Sequence, residues 1–410
     1  QALAAVGATS IVVWLTLGFA MGLTRGFCIH ISQAYGKKDY HLVNRGFFVA
    51  SVLSLIVGAM ISIVGSLAIR DFLILMHTPG EILEQSLDYI KVILLGFVIT
   101  VLNNLFMSVL QSLGDSSTPF WALLVSSVTN IGLDCVFVLT LKWGVQGAAA
   151  ATVLSQVFSF AICAAGLKRL KFVSILDGSK SKNARLTVRM LKTGLPVGIM
   201  SMVTAVGGMI LQFFVNDLGA SAVAAYAAST KIRSVIGEFS NALGMTFMTF
   251  VGQNYGAQKY DRIKAGVRMG VLLSILIHIP LSAVEIFGGK RIASLMVTDP
   301  PVLELCRQYL LIVGIFVFFL GFLMVFRNCI QGMGNTWIPM LSGGLEVFSR
   351  LIFGYWLGRH SFMGIAAAEA SAWISVSIML GSSFFILFRK VLRTQTPENT
   401  TDTKNIRTDS

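Results

Sequence analysis

A pattern of residues recurs in this chain at a spacing of 220 positions, and over its first stretch it recurs without a gap. Ala2, Ala4, Ala5, Ala8, Phe27, Gln33, Tyr35, Gly36, Tyr40 and Gly46 reappear as Ala222, Ala224, Ala225, Ala228, Phe247, Gln253, Tyr255, Gly256, Tyr260 and Gly266. The same spacing carries Gln111, Gly114 and Pro119 onto Gln331, Gly334 and Pro339. A slightly shorter one carries Gly147, Ala149, Ala150 and Ala151 onto Gly364, Ala366, Ala367 and Ala368. A chain built this way folds as two homologous halves.

The repeated units are apolar. Mean hydropathy is +0.77; 55% of residues are hydrophobic and 12% charged, against about 25% charged in soluble domains. Stretches long enough to cross about 30 Å of hydrocarbon fall near 10–33, 46–69, 89–110, 120–141, 147–167, 193–215, 224–251, 267–287, 308–330, 338–357 and 364–388. The expected fold is an all-α integral membrane protein with about eleven transmembrane helices in two pseudo-twofold-related bundles. The first span aligns with the second helix of the later half, so one N-terminal helix is expected to be absent from a six-plus-six pattern. The expected domains are an N-lobe over 1–167 with five helices, a basic connector over 168–192, a C-lobe over 193–393 with six helices, and a tail over 394–410. That tail, rich in Thr, Asn and Asp, has too little apolar surface to order itself.

The net charge of +13 is not a nucleic-acid footprint, because the basic residues gather at the ends of spans. Lys37, Lys38 and Arg45, the connector, Lys259, Arg262, Lys264 and Arg268, and Arg389, Lys390 and Arg393 all lie on one side of the expected bilayer. The other side carries Arg70, Lys142, Lys290, Arg291 and Arg359, diluted by acids. The positive-inside rule makes the first side cytoplasmic, so residue 1 begins outside and the C-terminus ends inside. The five cysteines all fall in expected spans with no Cys-x-x-Cys spacing, and no His-Glu-x-x-His pair occurs, so neither a disulfide framework nor a metal centre is expected. There is no phosphate-binding Gly-x-x-x-x-Gly-Lys-Ser/Thr loop and no nucleophile with a base; the chain does not read as an enzyme.

Ionisable residues in mid-span are costly and are kept when paired, wetted or used. Asp134 follows Asn130 by one turn, so both side chains share a helical face, where a carboxylate and an amide carbonyl can ligate Na⁺ or hold a proton; Thr152 in the next span can add a hydroxyl. The competing reading is an interhelical hydrogen-bond clamp. In the second half Asn130 becomes Arg350, Asp134 becomes Gly354, Ser126 becomes Glu346, and Thr152 falls opposite Glu369. Glu346, Arg350 and Glu369 therefore form a candidate C-lobe polar cluster, either a structural ion pair with a neighbour or a second coupling site. Arg25 and His30 lie in the first span. Arg327 is placed to snorkel toward the cytoplasmic boundary, while Glu238, Glu285, Asn103 and Asn104 are candidates for lining a cavity.

Taken in order, Leu3-Ala-Ala-Val-Gly-Ala-Thr-Ser10, Ile31-Ser-Gln-Ala-Tyr-Gly36, Asn130-Ile-Gly-Leu-Asp134, Gly194-Leu-Pro-Val-Gly198, Ala228-Ser-Thr-Lys-Ile232, Gln253-Asn-Tyr-Gly256 and Gln331-Gly-Met-Gly334 resemble the bacterial type of the multidrug and toxic compound extrusion (MATE) family, over nearly the whole chain to about residue 390. The resemblance implies two six-helix lobes around a central cavity and antiport of small-molecule organic cations and drugs against Na⁺ or H⁺ by alternating access. It implies no cofactor beyond the coupling ion. It also implies a multi-pass protein of the bacterial plasma (inner) membrane in contact with lipid, a monomer that binds no nucleic acid. In family members similar to this chain the cation site uses residues matching Asn130, Asp134 and Thr152, together with an Asp on the helix that is missing here. A C-lobe mode relying on a Glu of the seventh helix finds no acid between Gly194 and Asn216, and Cys135 stands where a Pro often follows the Asp. A lipid-linked oligosaccharide flippase of the same superfamily would need a cavity lined by several Arg or Lys, whereas mid-span basic residues are chiefly Arg25 and Arg350. A membrane receptor or channel is the remaining alternative.

Overall fold

A computed structural model of the chain describes residues 2–75, 78–174, 177–178 and 183–395. The described residues form helices and no strand. In lipid no water is available to satisfy a free N–H or C=O, so an apolar chain without a closed barrel has only the helix to adopt. In the first half α1 spans Ala2–Gly36, α2 Tyr40–Leu75, α3 Gly80–Leu95, α4 Phe97–Ser112, α5 Ser117–Asp134 and α6 Gly144–Arg169. The second half is α7 Ala184–Asn216, α8 Ala220–Gly256, α9 Tyr260–Ala283, the short α10 Gly289–Ala293, α11 Pro300–Gly332, α12 Trp337–Phe353 and α13 Phe362–Gln395. Each of the eleven expected positions carries a helix or a helix pair. By length and composition eight helices among the described residues suit a membrane crossing, or nine with the bent pair α3/α4. The other two are α8, which carries Lys231, Arg233 and Glu238, and α12, which has 17 residues before its last turn widens. The helix α7 begins at Ala184, inside the stretch read as connector. Residues 175–176 and 179–182 of that connector, and the tail from residue 396, lie outside the described residues.

Turn chemistry repeats along with the helices. Gly114 (φ 95°) and Gly334 (φ 90°) take the left-handed conformation that ends α4 and α11. After each, the next residue closes back on the helix: Asp115 N–H donates to Leu110 O at 2.9 Å and Asn335 N–H to Ile330 O at 3.3 Å. Asp115 Oδ1 then accepts the Thr118 N–H at 2.9 Å, and Asn335 Oδ1 accepts the Ile338 N–H at 3.2 Å, starting α5 and α12. Lys38 and Gln258 form a second matched left-handed pair, at φ 60° and 57°.

Buried apolar side chains separate by half. One cluster runs from Leu211 to Phe388, and the others draw on residues between Val12 and Leu191. The helix α7 spans this division: it packs along α1 of the first half and against α12 of the second. Small residues allow the close approach to α1, since a Cβ on Gly26 would lie 2.5 Å from Gly194 Cα and one on Gly22 2.5 Å from Val197 O.

The halves also meet where α1 and α8 end, in a contact that the pseudo-twofold maps onto itself. A Cβ on Gly36 would sit 1.9 Å from Gln253 O, and one on Gly256 would sit 2.0 Å from Gln33 O. Gln33 Nε2 donates to Gly332 O at 2.9 Å, and its repeat partner Gln253 Nε2 donates to Ser112 O at 2.9 Å. At the far end of α1 the pairing with α7 opens into a cavity of ≈ 270 Å³ lined by Ser10, Trp14, Ala205, Gly208, Met209 and Gln212.

Candidate functional site

In the first half, α5 presents Ser126, Asn130 and Asp134 one turn apart on a single face. Ser126 Oγ donates to Ser155 O at 2.9 Å and fixes the register of α5 on the antiparallel α6. Thr152 precedes Ser155 by one turn, and this register brings it level with Asn130. Its hydroxyl donates to Ala148 O of its own helix at 3.0 Å, which leaves the oxygen lone pairs free to accept. Asn130 Nδ2, Asp134 Oδ1 and, one turn beyond Thr152, Gln156 Oε1 are buried with no hydrogen-bond partner. Buried polar atoms are nearly always satisfied, so unsatisfied ones on Asn130 and Asp134, one turn apart on one face, are informative. Asp134 is the last residue of α5 before the helix widens into a π turn over Cys135–Thr140. Such turns recur at functional sites, and this one begins at Cys135. Among the described residues no group of three or more His, Cys, Asp or Glu is arranged to hold a metal. One carboxylate with amide and hydroxyl oxygens suits a monovalent cation or a proton better than a transition metal.

The second half is chemically different. Glu346 accepts from Arg327 at 3.0 Å and from Arg350 at 3.0 Å, and Arg350 reaches on to Glu369 at 3.6 Å. Glu369 is also paired with Arg233 at 2.8 Å and accepts a hydrogen bond from the Tyr309 hydroxyl. Glu346, Arg350 and Glu369, anticipated from sequence, thus come together across α12 and α13. Arg327 does not snorkel: it is 4% exposed and ends on Glu346, because α12 offers it a buried carboxylate at 3.0 Å. Glu285 does not line a cavity either, since its π turn over Val284–Gly288 directs it against α11 at Gly314, where it is fully enclosed. Arg233 and Tyr309 were missed. Tyr309 is the repeat copy of Tyr89, which interacts electrostatically with Asp134 in the first half, and that match was available in the sequence. Arg233 stands where the first half has Val13, and no local pattern marks it. Mid-membrane basic residues are thus more numerous than Arg25 and Arg350, although the added ones are each paired with a glutamate.

Two smaller sites complete the polar interior. His278 is enclosed, with Nε2 2.8 Å from Ser240 Oγ and Nδ1 2.7 Å from Ser274 O, a satisfied neutral imidazole joining α9 to α8. Arg25 on α1 and Glu238 on α8 face each other electrostatically from opposite halves, and among the described residues no ion pair within 4.0 Å joins them.

The MatE family model matches residues 1–136 and 196–356. The chain belongs to the MatE family. Members of this family are transporters rather than enzymes, and this one is a multi-pass membrane protein. A relative named probable multidrug resistance protein YoeA, from Bacillus subtilis, is 27% identical over 388 residues, covering 89% of this chain and 84% of that protein. The probable multidrug resistance protein NorM of Thermotoga maritima is 23% identical over 95% of this chain and 84% of its own length. A FAD transporter of Shewanella oneidensis is 25% identical over 81% of this chain and 74% of its own. Among solved structures, a MATE in the bent conformation superposes with a TM-score of 0.88 at 23% identity, covering 96% of this chain and 89% of that one. A multidrug resistance MATE family transporter of the MOP superfamily in its outward-facing conformation gives 0.88 at 23% identity, over 95% and 89%. At these identities the structures speak for the fold: two helical bundles of MATE type.

Proposed function

We propose that this MatE protein is a secondary antiporter that exports small-molecule organic cations and drugs in exchange for Na⁺ or H⁺, by alternating access between the halves 1–167 and 193–393 joined by the connector 168–192. The observation that carries this reading is the set of unsatisfied atoms on Asn130 and Asp134, with Thr152 at the same level. A half-buried carboxylate with one enclosed, unpartnered oxygen is stabilised by a proton or by a cation against that oxygen, so proton and Na⁺ become alternatives at one site. Relatives named for multidrug resistance support a drug-like substrate, and the FAD transporter among them widens the class to small organic molecules generally.

The basic loops at Lys37, Lys38 and Lys259 argue that the end closed by Gln33 and Gln253 is the cytoplasmic one, in an inner membrane with the C-terminus inside. In this reading the contact of α1 with α8 closes the cytoplasmic end. The chain works in this reading as a monomer in contact with lipid, each copy holding its own site.

The test is drug efflux from proteoliposomes with Na⁺ and pH gradients imposed separately. Asp134→Asn keeps the shape of the side chain and removes its charge. Efflux driven by either gradient should fall to background while the protein still inserts and melts as before. Normal pumping by this variant would make Asp134 a packing clamp and defeat the assignment.

A further inference from the structure

Glu285 belongs to none of the pairs described above. It is 1% exposed, lies on the π turn that ends α9, and leaves both carboxylate oxygens without a hydrogen-bond partner. Its Cβ packs 3.1 Å from where Gly314 would carry one, which buries it one turn beyond Tyr309 along α11. The charged groups that act on it come from two helices, Arg233 on α8 and Glu369 on α13, and Arg233 is in turn flanked by Tyr226 on α8 and Tyr309 on α11. Lys290, Glu304 and Arg307 lie nearer the surface and pair among themselves. An ionised carboxylate in such a place, accepting nothing, is strongly disfavoured, whereas the neutral acid is tolerated.

Charge balance points the same way. The paired cluster contains Arg233, Arg327 and Arg350 against Glu346 and Glu369, an excess of one positive charge that an ionised Glu285 would cancel. Arg233 is the member free to deliver that cancellation. Its side chain is 22% exposed where the other two arginines are 4% and 6%. It lies over the Trp373 ring at 5.4 Å, a surface on which a guanidinium can swing. Glu369 would keep Tyr309 and Arg350 if Arg233 left it.

We propose that Glu285 is a proton-binding site of the second half, protonated in this conformation and ionised when the Arg233 guanidinium turns from Glu369 onto it. In that step the Glu285 O–H bond breaks, its proton passes to water at the exposed edge of Arg233, and the cluster goes from one net positive charge to none. Because Arg233 rides on α8, whose end closes against α1, occupancy of this site follows the relative position of the halves. The proton's use in transport rests on the antiporter reading; its presence on Glu285 does not.

Infrared difference spectroscopy on the full chain in lipid nanodiscs tests the site directly. In an Asp134→Asn background, a protonated-carboxyl C=O band should be present at neutral pH and should vanish when Glu285→Gln is added. Glu285→Asp, which keeps a titratable acid, should shift the band rather than remove it. A spectrum unchanged by Glu285→Gln would overturn the proposal. In proteoliposomes, Glu285→Gln should flatten the dependence of efflux on pH, while a merely structural role would lower efflux by the same factor at every pH. If Asp134→Asn pumps normally while the band behaves as stated, the coupling assignment falls and the Glu285 site stands.

Discussion

The helix pair α3/α4 in the first half and the single helix α11 in the second descend from one repeat unit, yet the first bends by 47° and the second is continuous. The bend falls at Gly96, where a Cβ would lie 2.4 Å from Val153 Cγ2 of α6; the corresponding residue of α11 is Phe316. The same contrast runs through the polar residues. On the face where α5 carries Asn130 and Asp134 with unsatisfied atoms, α12 carries Glu346 and Arg350 as an ion pair, with Gly354 in the π turn that follows. The second half carries a paired guanidinium group at the position where the first half has Asn130 with its Nδ2 unpartnered. A repeat keeps the frame, and whether a buried polar group is satisfied decides which copy can bind something.

That contrast is open to measurement. The largest effect is expected for Glu346→Ala, which strands Arg327 and Arg350 in the interior; breaking a buried pair this way costs about 3–5 kcal/mol. Ser126→Ala, at the matching position of the first half, removes one hydrogen bond and should cost about 1 kcal/mol. Thermal unfolding of both variants in one detergent measures the difference, and equal losses would mean that the second-half cluster is no more structural than its counterpart.

Next in size are Gly36→Ala and Gly256→Ala. Each new methyl meets backbone rather than a movable side chain, so the ends of α1 and α8 must part, at about 1–3 kcal/mol. The pseudo-twofold requires the two losses to agree within about 0.5 kcal/mol, and unfolding midpoints that disagree by more would show that the contact is not symmetric. The smallest effects belong to Gln33→Ala and Gln253→Ala, each losing one hydrogen bond between the halves worth about 0.5–1.5 kcal/mol. Both should raise the accessibility, from the end they close, of a cysteine placed at Ser112, read by maleimide labelling. An effect from one glutamine and not the other would break the symmetry at its most local point.

The spans, the repeat and the matched turns were legible in the sequence because each rests on short-range physics: apolar length against bilayer thickness, and Gly, Asp or Asn at fixed offsets around a helix end. Asn130 and Asp134 could be placed on one face for the same reason, the helical period. Arg327 was misread because snorkelling is judged from distance to the membrane boundary, whereas its fate was settled by Glu346, nineteen residues away on another helix. Arg233 and Glu369, 136 residues apart, carry no sign of one another along the chain.

Residue order by itself determined that this chain spans a membrane as two copies of one helical unit, because hydropathy and a 220-residue spacing are properties of the chain alone. Only the tertiary structure decided which intramembrane charges are neutralised and which are left waiting. Pairing depends on which side chains of different helices share a level and a face, and a carboxylate such as Glu285 differs from Glu346 in nothing but the neighbours that packing supplies.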